Sequence, residues 1–124
     1  MDQNNAGDEH MALSEFTRKL VETKLGKYCR DKAPDELANE VRVGFKIRGN
    51  MVTLFEERPA YYDPDEWVMI PVAQFRYDDR KNTWSLYCAD RHSRWHRFED
   101  IEPVSDFDVL LDVLEEDATG IFWG

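Results

Sequence analysis

The chain has 124 residues, with 26 carboxylates against 16 lysines and arginines. The resulting net charge of −10 repels polyanions at long range and argues against a protein that simply coats nucleic acid or anionic lipid. Its 42% apolar content, rich in Phe, Tyr and Trp, is enough for one compact core without disulfide staples. The two cysteines, Cys29 and Cys88, lie far apart, and no apolar run approaches the roughly 20 residues of a membrane-spanning helix.

Residues 1–12 are polar, acidic and without periodicity, which predicts a disordered leader. The leader has neither the basic start nor the apolar run of a signal peptide, so the expected compartment is the reducing cytoplasm. Residues 13–124 then read as a single domain. In "LSEFTRKLVETKLGKYCRDK", Leu13, Phe16, Leu20, Val21, Leu25 and Tyr28 fall on one broad helical face, with Ser14 as the cap. Lys27, Arg30 and Lys32 stand where the helix dipole favours cations. Pro34 ends the helix, and one further turn capped by Asp35 is expected.

"VRVGFKIRGNMVTLFEE" gives the clearest local signal. Val41, Val43, Phe45 and Ile47 alternate with Arg42, Gly44, Lys46 and Arg48 ahead of a Gly49-Asn50 turn, the pattern of a β-hairpin. A two-residue loop pairs Ile47 with Val52 and Phe45 with Leu54 on the inner face, and sets Lys46 opposite Thr53 and Gly44 opposite Phe55 on the outer one. "RPAYYDPDEW" is rich in proline, aspartate and tyrosine and is expected as a long ordered loop. Three strands follow, "VMIPVAQFRYD", "TWSLYCAD" and "RWHRFE", joined by the short turns "DRKN" and "RHS" as an antiparallel meander. In the last of them, Trp95 and Arg97 alternate with Arg94, His96 and Phe98, so each face carries an aromatic and a base. A carboxylate such as Glu56 or Glu57 would satisfy an inward arginine.

Ser105 and Asp108 then suggest a capping box for a short helix marked by Phe107, Leu110, Leu111 and Leu114. The apolar Ile121, Phe122 and Trp123 after Gly120 are expected to dock on the domain. The fold class is therefore α+β: an N-terminal helix, about five antiparallel strands arranged as a hairpin plus a meander, a short C-terminal helix and a docked aromatic tail.

Chemistry-bearing patterns are sparse. His92 and His96 are four apart, but in a strand-and-turn context that does not aim both rings at one metal, and neither cysteine stands in a CxxC or CxxH spacing. Glycine-rich phosphate loops and GxSxG are absent, and no catalytic residue, metal or cofactor is assigned. The leading expectation is a non-enzymatic protein-binding or regulatory module using Glu56, Glu57, Arg58, Trp67, Trp95, Arg97 and Trp123, an aromatic-plus-arginine mixture typical of interface hot spots. The first alternative is nucleic-acid binding through Arg42, Lys46, Arg48, Phe55 and Arg76, exposed aromatics among cations on a sheet. Solvent-facing strand positions that simply favour solubility would account for the same residues. A second alternative is a divalent-metal-dependent hydrolase or nuclease with Glu56, Glu57, Asp63, Asp65 and Glu66 as the carboxylate cluster. A third uses the acidity itself: residues 98–124 hold nine carboxylates and no lysine or arginine, as a mimic of DNA would.

Taken in order, "VGFKIRGNMVTLFEERP", "DPDEW", "PVAQFRY", "WSLY", "RWHRFE" and "GIFWG" resemble the bacterial family catalogued as domain of unknown function 3024, over roughly residues 13–124. The family's aspartate-proline pair before the terminal "FFG" or "FWG" is replaced here by Asp117-Ala118. The resemblance implies a small bacterial cytoplasmic protein and brings no activity, cofactor or catalytic residue with it.

Overall fold

A computed structural model describes residues 12–124, so most of the expected leader lies outside the described residues. Helix α1 spans Glu15–Lys32 and starts where Ser14 accepts a hydrogen bond from the Thr17 N–H, satisfying one orphan donor of the first turn. Its buried residues, Val21, Leu25 and Cys29, recur every four positions and form the stripe that meets the sheet. Phe16 departs from the expected apolar face and is 79% exposed, because it sits a full turn before the helix reaches the core. The turn after Pro34 is a single 3-10 segment, Asp35–Leu37, with no side-chain cap.

Five antiparallel strands follow in sequential order: β1 (Arg42–Arg48), β2 (Met51–Ala60), β3 (Asp63–Asp78), β4 (Thr83–Ala89) and β5 (Trp95–Arg97). The β1–β2 register is the expected one, with Ile47 opposite Val52, Phe45 opposite Leu54, Lys46 opposite Thr53 and Gly44 opposite Phe55. Gly49, at φ 61°, supplies the left-handed residue of the turn.

The segment 58–67 is not a loop. β2 runs on to Ala60 and β3 begins at Asp63, so Tyr61 and Tyr62 alone turn the chain. Pairing of β1 with β2 starts at Arg42–Glu57, opposite Met69, and pairing of β3 with β4 at Gln74–Tyr87, so 58–68 is a two-stranded arm that overhangs the sheet. Prolines are tolerated there because an arm strand has a free edge and a missing N–H breaks no ladder bond.

Both helices cover the inner face. Trp84 stands at the centre of the core, with the Tyr77 and Phe107 rings 4.8 and 4.9 Å away, and Phe75 lies 4.9 Å from Phe107. Each such buried ring contributes about 2–3 kcal/mol through removed apolar area. Helix α2 (Phe107–Glu116) is capped by Asp106, whose carboxylate accepts from the Asp108 N–H, rather than by Ser105. It buries Phe107, Leu110 and Leu114 and is tied to α1 by Lys24–Asp108 and Lys32–Glu115 ion pairs at 2.8 Å.

The tail docks. Asp117, in the left-handed region at φ 39°, accepts hydrogen bonds from the Phe122 and Trp123 N–H groups at 3.0 and 2.8 Å. Phe122 packs on Phe98, and Trp123 donates its indole N–H to the Tyr28 hydroxyl at 3.1 Å beneath the Lys32 ammonium. Burial pushes the Tyr28 phenol up, so it stays neutral and available as the acceptor. Among the described residues, no helix is long and apolar enough to cross a membrane.

Candidate functional site on the outer sheet face

Directly opposed residues of an antiparallel pair share a face, so the register defines what the uncovered side of the sheet presents. One row crosses all five strands: Lys46, Thr53, Gln74, Tyr87 and Arg97. The row beside it holds Arg48, Met51, Arg76 and Ser85, and on the other side Gly44 pairs with Phe55 and Ala89 with Trp95. No helix among the described residues packs on this side.

A β-bulge brings Trp67 to the same side. The register jumps between Leu54 and Phe55, from Ala73 to Pro71, leaving Val72 as the extra residue of β3. Without that residue, simple alternation from the inward Ala73 would aim Pro71, Met69 and Trp67 at the helices. With it, Met69 lies opposite Glu57, which lies opposite Arg42, and the Arg42 guanidinium stacks 3.7 Å over the Trp67 ring.

Two further cations sit over aromatic rings on this face: Arg76 is 3.8 Å above Tyr87 and Lys46 is 5.8 Å from Phe55. Arg76 is fixed from behind by Gln74, a polar side chain only 6% exposed, whose amide oxygen accepts from Arg76 Nε at 2.7 Å. The same amide donates to the Thr53 hydroxyl at 3.0 Å, so Gln74 is locked in its orientation.

Charge pairing differs sharply between the two sides. On α1, Lys24, Lys27 and Lys32 each hold a carboxylate within 2.8 Å. On the outer face, no carboxylate among the described residues comes within ion-pair distance of Arg42, Lys46, Arg48 or Arg76, and Arg97 reaches Glu102 only at 4.0 Å.

The expected partner-binding residues divide among three places. Glu57, Trp67, Trp95 and Arg97 belong to the outer face, whereas Glu56 and Arg58 pair with each other at 3.0 Å on the opposite side of the arm. Trp123 is on the helix side, engaged with Tyr28. The nucleic-acid set, Arg42, Lys46, Arg48, Phe55 and Arg76, is brought together on one surface. Tyr87, which the sequence reading did not select, joins it; its pairing with Gln74 is visible only once the β3–β4 register is known.

The expected inward arginine is not found: Arg94 is exposed and approaches Asp90 at 3.6 Å, and Arg97 lies on the outer face. Asp90 organises the whole β4–β5 turn, accepting from the Arg94 and His92 N–H groups and bonding the His96 ring at 2.8 Å. These bonds, the Arg94 N–H first, lower its carboxyl from 3.8 to about 2. Among the described residues, no three His, Cys, Asp or Glu side chains are placed to hold a metal ion. Glu56 and Glu57 face opposite ways, so the carboxylates of the expected hydrolase site do not converge. A cavity of about 190 Å³ lies between α2 and the tail beside Phe98, Ile101 and Phe122, but both carboxylate oxygens of its Asp117 are taken by the tail backbone.

Comparison with known proteins adds a family and nothing about activity. The sequence profile described as Domain of unknown function (DUF3024) matches residues 13–124, nearly the whole chain. No curated protein and no solved structure gives a significant match.

Proposed function

Since the chain belongs to the DUF3024 family, which carries no activity to transfer, we propose from the geometry that it is a non-enzymatic binding module whose ligand lies on the outer sheet face, and that this ligand is single-stranded nucleic acid. The observation that carries the reading is the set of cations stacked on aromatic rings without a carboxylate partner among the described residues: Arg42 on Trp67, Lys46 near Phe55 and Arg76 on Tyr87. Guanidinium planes held in this way keep their outer N–H groups free for phosphate, and both the planes and the rings accept stacked bases. Ring stacking with single-stranded bases is worth about 1–3 kcal/mol per base. A duplex hides its base faces, so the rings would contribute nothing to binding it.

The test is fluorescence anisotropy with labelled single-stranded oligonucleotides between 50 and 200 mM salt. About four phosphate contacts predict a slope near −3 in log affinity against log salt. Charge reversal at Lys46 and Arg48 together should abolish binding with the melting temperature retained. Absence of binding at 50 mM salt would end the reading.

One observation favours a protein partner as a second reading. The arm ends in Tyr61 and Tyr62, 99% and 64% exposed and packed edge-to-face on each other at 5.4 Å, an aromatic tip of the kind that anchors interfaces. Under this reading, Tyr61→Ser with Tyr62→Ser removes partner capture and leaves oligonucleotide binding unchanged.

A further inference from the structure

Resting on the nucleic-acid reading of the outer face, we propose that the strand crosses the sheet at right angles to the β-strands, along the row from Lys46 to Arg97, with one base stacked on the Arg76–Tyr87 pair at its centre. Two tracks are open on a flat face, along the strands or across them, and charge decides between them.

A track along the strands leads from Arg48 and Arg76 towards the overhanging arm. There it meets Glu57 on the outer face and then Asp63, Asp65 and Glu66 near the tip, all exposed or half-buried. The arm's one base, Arg58, is already held by Glu56, whose hydrogen bond raises the Arg58 pKa further. Past Arg42, which stands opposite Glu57, phosphates advancing that way run into Asp63, Asp65 and Glu66 with no free cation beside them among the described residues.

The transverse track is basic at both ends. Lys46 stands on the β1 edge and Arg97 on the β5 edge, with neighbouring strands about 4.8 Å apart, so the two are separated by about 19 Å. That span suits about four nucleotides, at the low end for sheet-based single-strand sites. Its middle is held by side-chain hydrogen bonds. Gln74 grips Thr53 on one side and Arg76 on the other, and thereby fixes the guanidinium over Tyr87 before any ligand arrives. Gln74 is a positioning residue in this scheme, and the stack it supports is the contact surface. The acidic arm forms the wall that keeps the strand on the transverse row.

Fluorescein-labelled oligothymidylates of 2 to 12 nucleotides test the path. Affinity should rise with length up to about four or five nucleotides and then level off. Tyr87→Ala should weaken binding about tenfold with its salt slope unchanged, since stacking and not phosphate contact is removed. Tyr87→Phe should restore affinity. Gln74→Ala should reproduce part of the Tyr87→Ala loss, and Lys46→Glu should lower the salt slope, an effect that a purely structural role for these residues would not produce. Melting temperatures verify that each variant folds.

Three outcomes overturn the path. If Asp65→Lys with Glu66→Lys strengthens binding of a four-nucleotide probe while Tyr87→Ala leaves it unchanged, the strand runs along the β-strands, and only the path falls. If polyglutamate competes as well as oligothymidylate, the face is a general anion surface and the stack has no role. If no oligonucleotide binds at any length, the nucleic-acid reading itself is lost, and the path with it.

Discussion

The Phe55 ring lies over Gly44 on the neighbouring strand so closely that a Cβ added at Gly44 would come within 3.1 Å of its Cζ and 3.2 Å of its Cε1. The absence of a side chain at position 44 is what lets the ring settle against β1, with the Lys46 ammonium 5.8 Å from its centre. In Gly44→Ala the ring must move by a few tenths of an ångström. Stability should change by less than about 1 kcal/mol, because alanine is the better strand residue while the ring loses its seat. Oligonucleotide affinity should fall about threefold as the stacking surface tilts. Paired thermal melts and anisotropy titrations separate the two effects, and unchanged affinity would remove Phe55 from the binding face.

Asp117 holds the tail through two backbone donors, a role alanine cannot fill and asparagine fills in part. Asp117→Ala also places a Cβ residue without a compensating polar group at φ 39°, in the left-handed region. We expect a loss of about 2 kcal/mol from the charge-assisted hydrogen bonds. Asp117→Asn, which tolerates the backbone and keeps one acceptor, should lose less than half of that. Trp123 fluorescence reports whether the indole leaves Tyr28, and wild-type emission from the alanine variant would show that the tail docks without this anchor.

Asp90 fixes the acid limb of the β4–β5 turn. Its carboxyl titrates at about 2 in the folded chain against an ordinary 3.8. The turn therefore gains stability from the ionised form above pH 3.8 and loses it as pH falls towards 2. Carboxyl NMR titration should find Asp90 well below the ordinary value of 3.8, with the His92 and Arg94 amides shifting in the same range. Asp90→Asn should erase those coupled shifts, and an Asp90 midpoint near 3.8 would contradict the hydrogen-bonding scheme.

Cys29 is buried against the sheet, and burial, offset in part by Arg30, pushes its thiol up to about 11 from 9.0; burial raises Cys88 as well. Because the folded state favours the neutral thiol, this contribution to stability is present below pH 9 and is lost as pH rises through 11. At pH 8, Ellman's reagent should react with neither cysteine of the folded protein on the timescale of free thiols, and with both after denaturation. Rapid reaction of one thiol before unfolding would show that its helix or strand opens locally.

The β1–β2 hairpin was fully legible because alternation and a Gly49-Asn50 turn specify the same register, and a slip by one residue would expose Val43, Phe45 and Ile47 together. The core faces of β3 and β4 were legible for the same reason, through Phe75, Trp84 and Leu86. The arm was not. Pro59, Pro64 and the surrounding aspartates carry turn signals, and their tolerance in strands depends on edges that only the lengths of β1 and β4 leave free. The Arg42–Trp67 stack was hidden for a related reason: it depends on the single extra residue Val72, and a bulge leaves no periodic mark in a sequence. Tyr87 looked like an ordinary alternating strand residue until its neighbour across β3 was known to be the buried Gln74.

The separation of the bases on the sheet from the nine carboxylates of residues 98–124 makes the molecule's electrostatic character depend on distance. At separations near the screening length of about 8 Å at physiological salt, an approaching polymer of negative charge meets the weak, salt-screened repulsion of a body of charge −10. Inside that radius, and only in the orientation that presents the sheet, attraction takes over. On the proposed nucleic-acid reading, such a molecule would not accumulate along a polyanion by default or slide on it. Its residence depends on the contacts made at one face, and each acidic back turned outward discourages a second copy from settling alongside the first.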